Sequence, residues 1–176
     1  TDFVEYNCQE MKMDAIIHLA KDQLEYISSN GYSTMIVGHS MGGIVAMKLS
    51  QHHLVRNTVT LASPLAGIRF GYLMNAYLQF YAPILGEMTP EAPIIKSIHA
   101  QSYDQNPVTM LVANEGFSPF ILEANDGVIT KASQTSWQPR NANVIEIDAN
   151  HNEILQSRHT ANIIQNLIYS KTYTER

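Results

Sequence analysis

A serine enclosed by glycines constrains the fold of this chain more than any other feature of its sequence. Residues 38–43 read GHSMGG. The residues before them, 33–37, form a short β-branched and apolar run that predicts a buried strand, and a helical pattern of apolar residues follows from Gly42. A serine in a G-x-S-x-G pattern between a strand and a helix stands on a sharp, strained turn that exposes its hydroxyl. Ser40 is therefore predicted to be a nucleophile.

The neighbours of Ser40 have predicted roles of their own. Gly38 and Gly42 are expected to give clearance, because a side chain at either position would collide with the neighbouring strand or helix. The helix that begins after Ser40 directs the positive end of its dipole at the site, where a tetrahedral oxyanion would form. The backbone N–H of Met41 is accordingly the predicted oxyanion-hole donor.

Predicted strands alternate with predicted helices along the rest of the chain. Three further strands are expected at 58–62, 108–113 and 143–147. Helices are expected at about 9–29, from residue 42, at about 94–100 and at about 153–169. In the last helix, the residues expected to face inward are Ala161, Ile164, Leu167 and Ile168. Nearly continuously apolar strands between helices predict an α/β fold with a parallel sheet flanked by helices.

One domain, 1–176, is expected, because no repeat or polar linker divides the 176 residues. About forty residues without a strand, approximately 65–106, are interpreted as a helical cap insertion over the site. Its aromatic and methionine side chains are the candidate substrate-binding residues: Phe70, Tyr72, Met74, Tyr77, Phe80 and Tyr81. An apolar cap beside a nucleophile suits an acyl chain, because each buried methylene contributes about 0.8 kcal/mol.

A serine nucleophile needs a histidine base that is oriented by a carboxylate. His151 directly follows the fourth predicted strand, where this topology places the base, and Asp126 follows the third strand after a loop. Asp126 is preferred as the acid, although an Asp-Gly pair is also a common turn former. Asp148, Glu123 and Asp104 are less well placed. The other six histidines, among them His39 within the serine motif, are interpreted as surface or packing residues.

Composition excludes several other classes of protein. The formal net charge of −5 argues against a nucleic-acid partner, because a phosphate-binding groove needs clustered Lys and Arg. No apolar run approaches the roughly 20 residues that cross a bilayer, so no transmembrane segment is expected. The lone cysteine, Cys8, requires no oxidising compartment, which leaves the location open with the cytoplasm slightly favoured. No metal-binding or nucleotide-binding motif is present, so no cofactor is expected. The oligomeric state is left open.

Four segments together resemble a known family: VGHSMGG at 37–43, TLASP at 60–64, NDGVI at 125–129 and ANH at 149–151. They resemble the serine α/β-hydrolases, and among these the small lipases and esterases. The resemblance implies that Ser40 is the nucleophile, Asp126 the acid and His151 the base. It also implies a small-molecule ester or lipid substrate, although a thioesterase, peptidase or acyltransferase would use the same three residues.

The chain departs from this family before its nucleophile. Family members carry several strands ahead of the serine strand, and an early loop, often His-Gly, supplies a second oxyanion donor. Only one predicted helix precedes residue 40 here, and no His-Gly loop is present upstream. We therefore expect the C-terminal part of a longer hydrolase, with about four strands and with the serine strand at an exposed sheet edge. The alternative to a longer hydrolase is a natural minimal version. The alternative function is that of an incomplete scaffold that binds a ligand or partner with little turnover.

Overall fold

Four short strands rich in β-branched and apolar residues form one parallel sheet. The computed structural model describes residues 1–7, 10–69, 83–119 and 121–169. Its strands are β1 (Thr34–His39), β2 (Val55–Leu61), β3 (Val108–Ala113) and β4 (Asn143–Ile147), and they pair in the order β1-β2-β3-β4. All carboxyl ends therefore lie at one edge of the sheet, where open α/β sheets bind their ligands. The predicted fold class is confirmed.

Helices connect the strands and cover both faces of the sheet. They are α1 (Met13–Ser29), α2 (Met41–Leu49), α3 (Pro83–Gly86), α4 (Pro93–Ala100), α5 (Lys131–Thr135) and α6 (Arg158–Tyr169), with a 3-10 turn at Glu153–Leu155. Within the described ranges, no helix has both the length and the hydropathy that a membrane crossing requires. The six predicted substrate-binding residues of the cap, 70–81, lie outside the described residues.

Alternate side chains of the strands belong to two separate apolar clusters, one on each face of the sheet. On one face, Met110 packs with α1, α2 and α4 in a cluster that includes the fully buried Met13, Ile16 and Ile95. On the other face, Leu111 packs with a cluster that includes Ile147 and that partly buried side chains of α6 join. Successive side chains of a strand point to opposite faces of the sheet, so both faces carry apolar side chains that helices cover.

The last helix differs from its prediction in extent and in the side that it buries. A 3-10 turn occupies Glu153–Leu155, and α6 begins only at Arg158. Ile164 and Leu167 pack against the sheet as predicted, whereas Ala161 and Ile168 are exposed. The buried stripe also contains Thr160, which directly precedes Ala161, and Ile163, which directly precedes Ile164. Because the stripe includes a hydroxyl residue, Thr160, hydropathy alone did not reveal which residues of α6 face the sheet.

Strand β1 lies at an edge of the sheet, as expected. Its only strand partner is β2 among the described residues, and Val37 in the middle of the strand is 42% exposed. A groove of about 450 Å³ runs beside the strand, between α1, α2 and the N-terminal residues, and it reaches Gly42. Tyr6, at the end of that N-terminal segment, lines the same groove.

Candidate active site

Ser40 occupies a sharp turn between β1 and α2, with φ 53° and ψ −124°. Backbone of this kind is sparsely populated by residues with a side chain and costs about 1–3 kcal/mol. The turn is tied to the sheet, because the Ser40 N–H donates to the Leu61 carbonyl over 2.9 Å. Met41 is the first residue of α2, so its N–H belongs to the positive end of that helix.

Close packing around the turn explains two glycines of the motif. A Cβ on Gly38 would lie 2.2 Å from the Gly42 carbonyl oxygen, and one on Gly43 would lie 1.9 Å from Ser63 Oγ. The expectation that Gly42 also avoids a collision is wrong for the described residues, because the nearest of their atoms, Tyr6 Oη, would be 3.8 Å away. Position 42 points into the groove beside β1, whereas position 43 faces the residues that follow β2.

His151 and Asp126 are brought together after the carboxyl ends of β4 and β3. His151 Nδ1 lies 2.7 Å from Asp126 Oδ2, and the two residues are 6% and 1% exposed. Because an ionised carboxylate only accepts hydrogen bonds, Nδ1 carries the proton and Nε2 is left as the proton acceptor. The backbone N–H of His151 also donates to the Asp126 carbonyl over 2.8 Å. Two hydrogen bonds thus fix the imidazole against Asp126.

Asp126 is a turn former and the histidine's partner at once. Its Oδ1 accepts hydrogen bonds from the N–H groups of Val128 and Ile129 at 2.9 and 2.8 Å, while Oδ2 faces the imidazole. Gly127 completes the turn with φ +97°. The two interpretations of the Asp-Gly pair therefore apply to different oxygen atoms of one carboxylate.

The competing acids lie elsewhere. Asp148 is exposed and accepts a hydrogen bond from Asn114, and Asp104 is exposed and accepts one from Ser102. Glu123 is also exposed, in the loop before Asp126. Only Asp126, among these four acidic residues, lies within hydrogen-bond distance of His151 in the described structure.

His39 contacts His151, although its sequence position suggested only packing. Its Nε2 lies 2.8 Å from the His151 carbonyl oxygen and donates to it, and the two ring centroids are 4.8 Å apart. Burial lowers the pKa of His39, which favours the neutral form. Because His39 directly precedes Ser40, this contact joins the serine turn to the histidine loop.

Gln134 of α5 is the second residue of the site that the sequence did not identify. Its Nε2 donates to Asp126 Oδ2 over 3.2 Å, and the residue is 1% exposed. Neither His39 nor Gln134 belongs to a pattern that could have assigned it to the site, apart from the adjacency of His39 to Ser40. No cluster of His, Cys, Asp and Glu suited to a metal ion occurs in the part of the chain that the structure describes.

Comparisons with known proteins identify the family and the fold of the chain. A family model described as a PGAP1-like alpha/beta domain matches residues 6–163. No curated protein matches the sequence. Among solved structures, the chain is similar to a Bacillus licheniformis lipase in mature form, at 19% identity and a TM-score of 0.63 over 86% of this chain and 72% of the lipase. A monoacylglycerol lipase of Paleococcus ferrophilus is 12% identical, with a TM-score of 0.58 over 90% and 74%.

A third similar structure is a putative non-heme bromoperoxidase of Mycobacterium tuberculosis, at 13% identity and a TM-score of 0.59 over 94% of this chain and 76% of that one. Identities this low establish a shared fold and leave the reaction open. The reaction has to be argued from the side chains at the carboxyl edge of the sheet.

Proposed function

The chain belongs to the PGAP1-like alpha/beta domain family and has the fold of the serine α/β-hydrolase superfamily, and on this basis we propose that it hydrolyses carboxylic esters. Ser40 is the proposed nucleophile, His151 the base and Asp126 the acid. The observation that carries the proposal is the buried contact of 2.7 Å between His151 and Asp126, which is joined through His39 to the strained serine turn.

The proposed reaction is acyl transfer in two steps. His151 Nε2 takes the proton of Ser40 Oγ as this oxygen attacks the ester carbonyl carbon, and the N–H of Met41 donates to the oxyanion. The same proton then passes from His151 to the departing alcohol, which leaves an acyl-serine. A water then gives a proton to His151 and attacks the acyl-serine carbonyl, and this proton passes to Ser40 Oγ as the bond between the acyl carbon and Ser40 Oγ breaks and the acid leaves. Asp126 orients the imidazole throughout and stabilises its cation.

An ester or lipid of low molecular mass is the proposed substrate. The two lipases of similar fold support this class, as does the apolar composition of the proposed cap, 65–106. In the described part of this segment, α4 packs its fully buried Ile95 and Ile98 into the core, and His99 Nε2 donates to the Leu65 carbonyl over 2.7 Å. The segment is thus held at both ends, with the proposed acyl-binding residues between its anchors.

A fluorophosphonate probe tests the nucleophile directly. We expect the folded protein to be labelled at Ser40, as located by mass spectrometry, and Ser40→Ala to remain unlabelled. Asp126→Asn should slow labelling by about 10³- to 10⁴-fold, because the imidazole then lacks its orienting carboxylate. Ser102→Ala is the matched control, since Ser102 is exposed and lies before β3, at the opposite edge of the sheet.

The outcome decides between the candidate functions. Labelling of Ser40 followed by hydrolysis of p-nitrophenyl esters, compared over a series of acyl lengths, would support an esterase and rank its substrates. Labelling without ester hydrolysis would favour the thioesterase, peptidase or acyltransferase alternatives. A folded wild-type protein that the probe does not label would contradict the proposed hydrolase and favour a binding scaffold.

A further inference from the structure

Asp126 has a complete set of hydrogen-bond donors. A carboxylate offers about four lone-pair positions on its two oxygens. Val128 and Ile129 occupy both positions on Oδ1 through their N–H groups, and His151 takes one position on Oδ2. The fourth is taken by Gln134 Nε2 at 3.2 Å. The amide therefore occupies the last free lone-pair position of Oδ2, the oxygen atom that faces the imidazole.

Gln134 is itself held by the end of β3. Its Oε1 accepts from the Ala113 N–H and its Nε2 donates to the Ala113 carbonyl, both over 3.0 Å. The pairing of β2 with β3 ends at Leu61 and Leu111, followed by one bond from the Ala62 N–H to the Leu111 carbonyl. The side-chain amide thus occupies the next position along β3, which β2 has vacated.

These contacts determine the orientation of the amide. The two protons on Nε2 go to the Ala113 carbonyl and to Asp126 Oδ2. A flipped amide would direct Oε1 at both of those acceptors and leave the buried Ala113 N–H facing a donor, which costs the energy of several hydrogen bonds. The bonds of the amide to rigid β3 therefore fix where its second proton points.

We propose that Gln134 is a positioning residue of the active site, and that it uses its anchorage on Ala113 to hold Asp126 Oδ2 against the His151 imidazole. This inference rests on the proposed function for its catalytic meaning. The hydrogen-bond geometry on which it depends exists whether or not the site turns over an ester, so that the two can be tested separately.

Gln134→Met tests the proposal with a side chain of similar volume. Loss of a hydrogen bond to a charged group should lower kcat about 10- to 100-fold. KM should stay within about twofold, because Gln134 is 1% exposed and its amide is bound to Ala113 and Asp126. In protein labelled with ¹⁵N-histidine, the downfield proton resonance of the Nδ1–H bond between His151 and Asp126 should shift or broaden.

Gln51→Met is the matched control for the lost backbone contacts. Gln51 Oε1 accepts from the N–H groups of Gln105 and Asn106 at 3.0 and 3.1 Å, and its Nε2 donates to the Asn106 carbonyl over 3.1 Å. It thus forms the same kind of amide clamp at the amino edge of the sheet, without a catalytic carboxylate. We expect kcat and the His151 resonance to remain those of the wild type.

Gln134→Asn provides a second test if the methionine variant does not fold. Asparagine keeps the amide but is one methylene shorter, so it cannot contact Ala113 and Asp126 Oδ2 together. We expect kcat to fall about 10-fold and the Nδ1–H resonance of His151 to shift as in Gln134→Met. A merely structural contact would change stability and leave kcat and the resonance those of the wild type.

Each result bears on one of the two proposals. A folded Gln134→Met or Gln134→Asn protein with wild-type kcat and an unchanged His151 resonance would overturn the positioning role. If the probe does not label the wild type, the proposed hydrolase fails, and the His151 resonance in Gln134→Met then decides alone whether Gln134 positions the pair.

Discussion

Ser40 combines a side chain with a backbone conformation that suits glycine. Its φ of 53° forces the hydroxyl out of the turn, and a serine is retained there despite a cost of about 1–3 kcal/mol. The neighbouring hydrogen bonds hold this conformation, since the Ser40 N–H is bound to β2 and the Ser40 carbonyl accepts from the Gly43 N–H over 3.0 Å. The strain is thus confined to the residue whose hydroxyl is proposed to react.

Two substitutions of Ser40 separate chemistry from strain. Ser40→Ala and Ser40→Gly should both lose fluorophosphonate labelling, but only Ser40→Gly relieves the strain of the backbone at φ 53°. After the extra unfolded-state entropy of glycine is subtracted, Ser40→Gly should remain more stable than Ser40→Ala by about 1 kcal/mol. Urea unfolding of the two variants measures the difference. An alanine variant that is the more stable of the two would contradict strain at this residue.

His39 should make stability depend on pH below neutrality. Burial lowers its folded-state pKa, so the unfolded chain binds more protons in the window below the ordinary histidine value of about 6.5. The free energy of unfolding therefore falls as the pH drops through that window, where a charged His39 would also repel a charged His151 but be attracted by Asp126.

His39→Gln removes this titration and keeps a donor for the His151 carbonyl. Between about pH 7.5 and about pH 5.5, the variant should lose less stability than the wild type, by under about 1 kcal/mol because the ring is only part-buried. Urea titrations at the two pH values measure the difference, and the histidines that do not contact His39 cancel in it. An equal loss in both proteins would assign the acid sensitivity to other groups.

At the scale of elements, the three glycines of the serine motif make unequal contributions to the junction of β1 with α2. Gly38→Ala and Gly43→Ala place a methyl group at 2.2 Å and 1.9 Å from atoms of the junction, and each should destabilise the fold by more than about 2 kcal/mol. Gly42→Ala meets no such clash among the described residues and lies within α2, so its stability should match or exceed that of the wild type by up to about 1 kcal/mol. Thermal unfolding compares the three, and a severe loss in Gly42→Ala would refute the unequal roles.

Prediction from the sequence succeeded where a local pattern reflects a local structure. The four strands and α4 were located to within a few residues. Runs of apolar residues indicated the strands, and a proline indicated the start of α4. The position of Asp126 relative to His151 followed from chain order alone. The amide of Gln134 could not be predicted, because its contact with Asp126 depends on where β2 stops beside β3.

At the scale of the whole molecule, β3 contributes alternate side chains to both apolar clusters. Met110 belongs to the cluster with α1, α2 and α4, and Leu111 to the cluster that α6 covers. Neither cluster can therefore remain packed when β3 leaves the sheet. Trp137 packs against the first cluster and stacks on His99, with ring centroids 4.4 Å apart.

A single domain over 1–176 should accordingly unfold as one unit, including the proposed cap. Trp137 is the only tryptophan, so its fluorescence reports on the side where His99 anchors that segment, whereas far-UV circular dichroism reports on all helices and strands. In urea the two signals should give the same midpoint and slope, as a two-state transition requires.

Trp137→Phe is the control, since it should abolish the fluorescence change while leaving a single dichroism transition. If fluorescence changes at a lower urea concentration than dichroism, the segment 65–106 unfolds separately, and the single cooperative domain would have to be replaced by a sheet core with an independently opening cap.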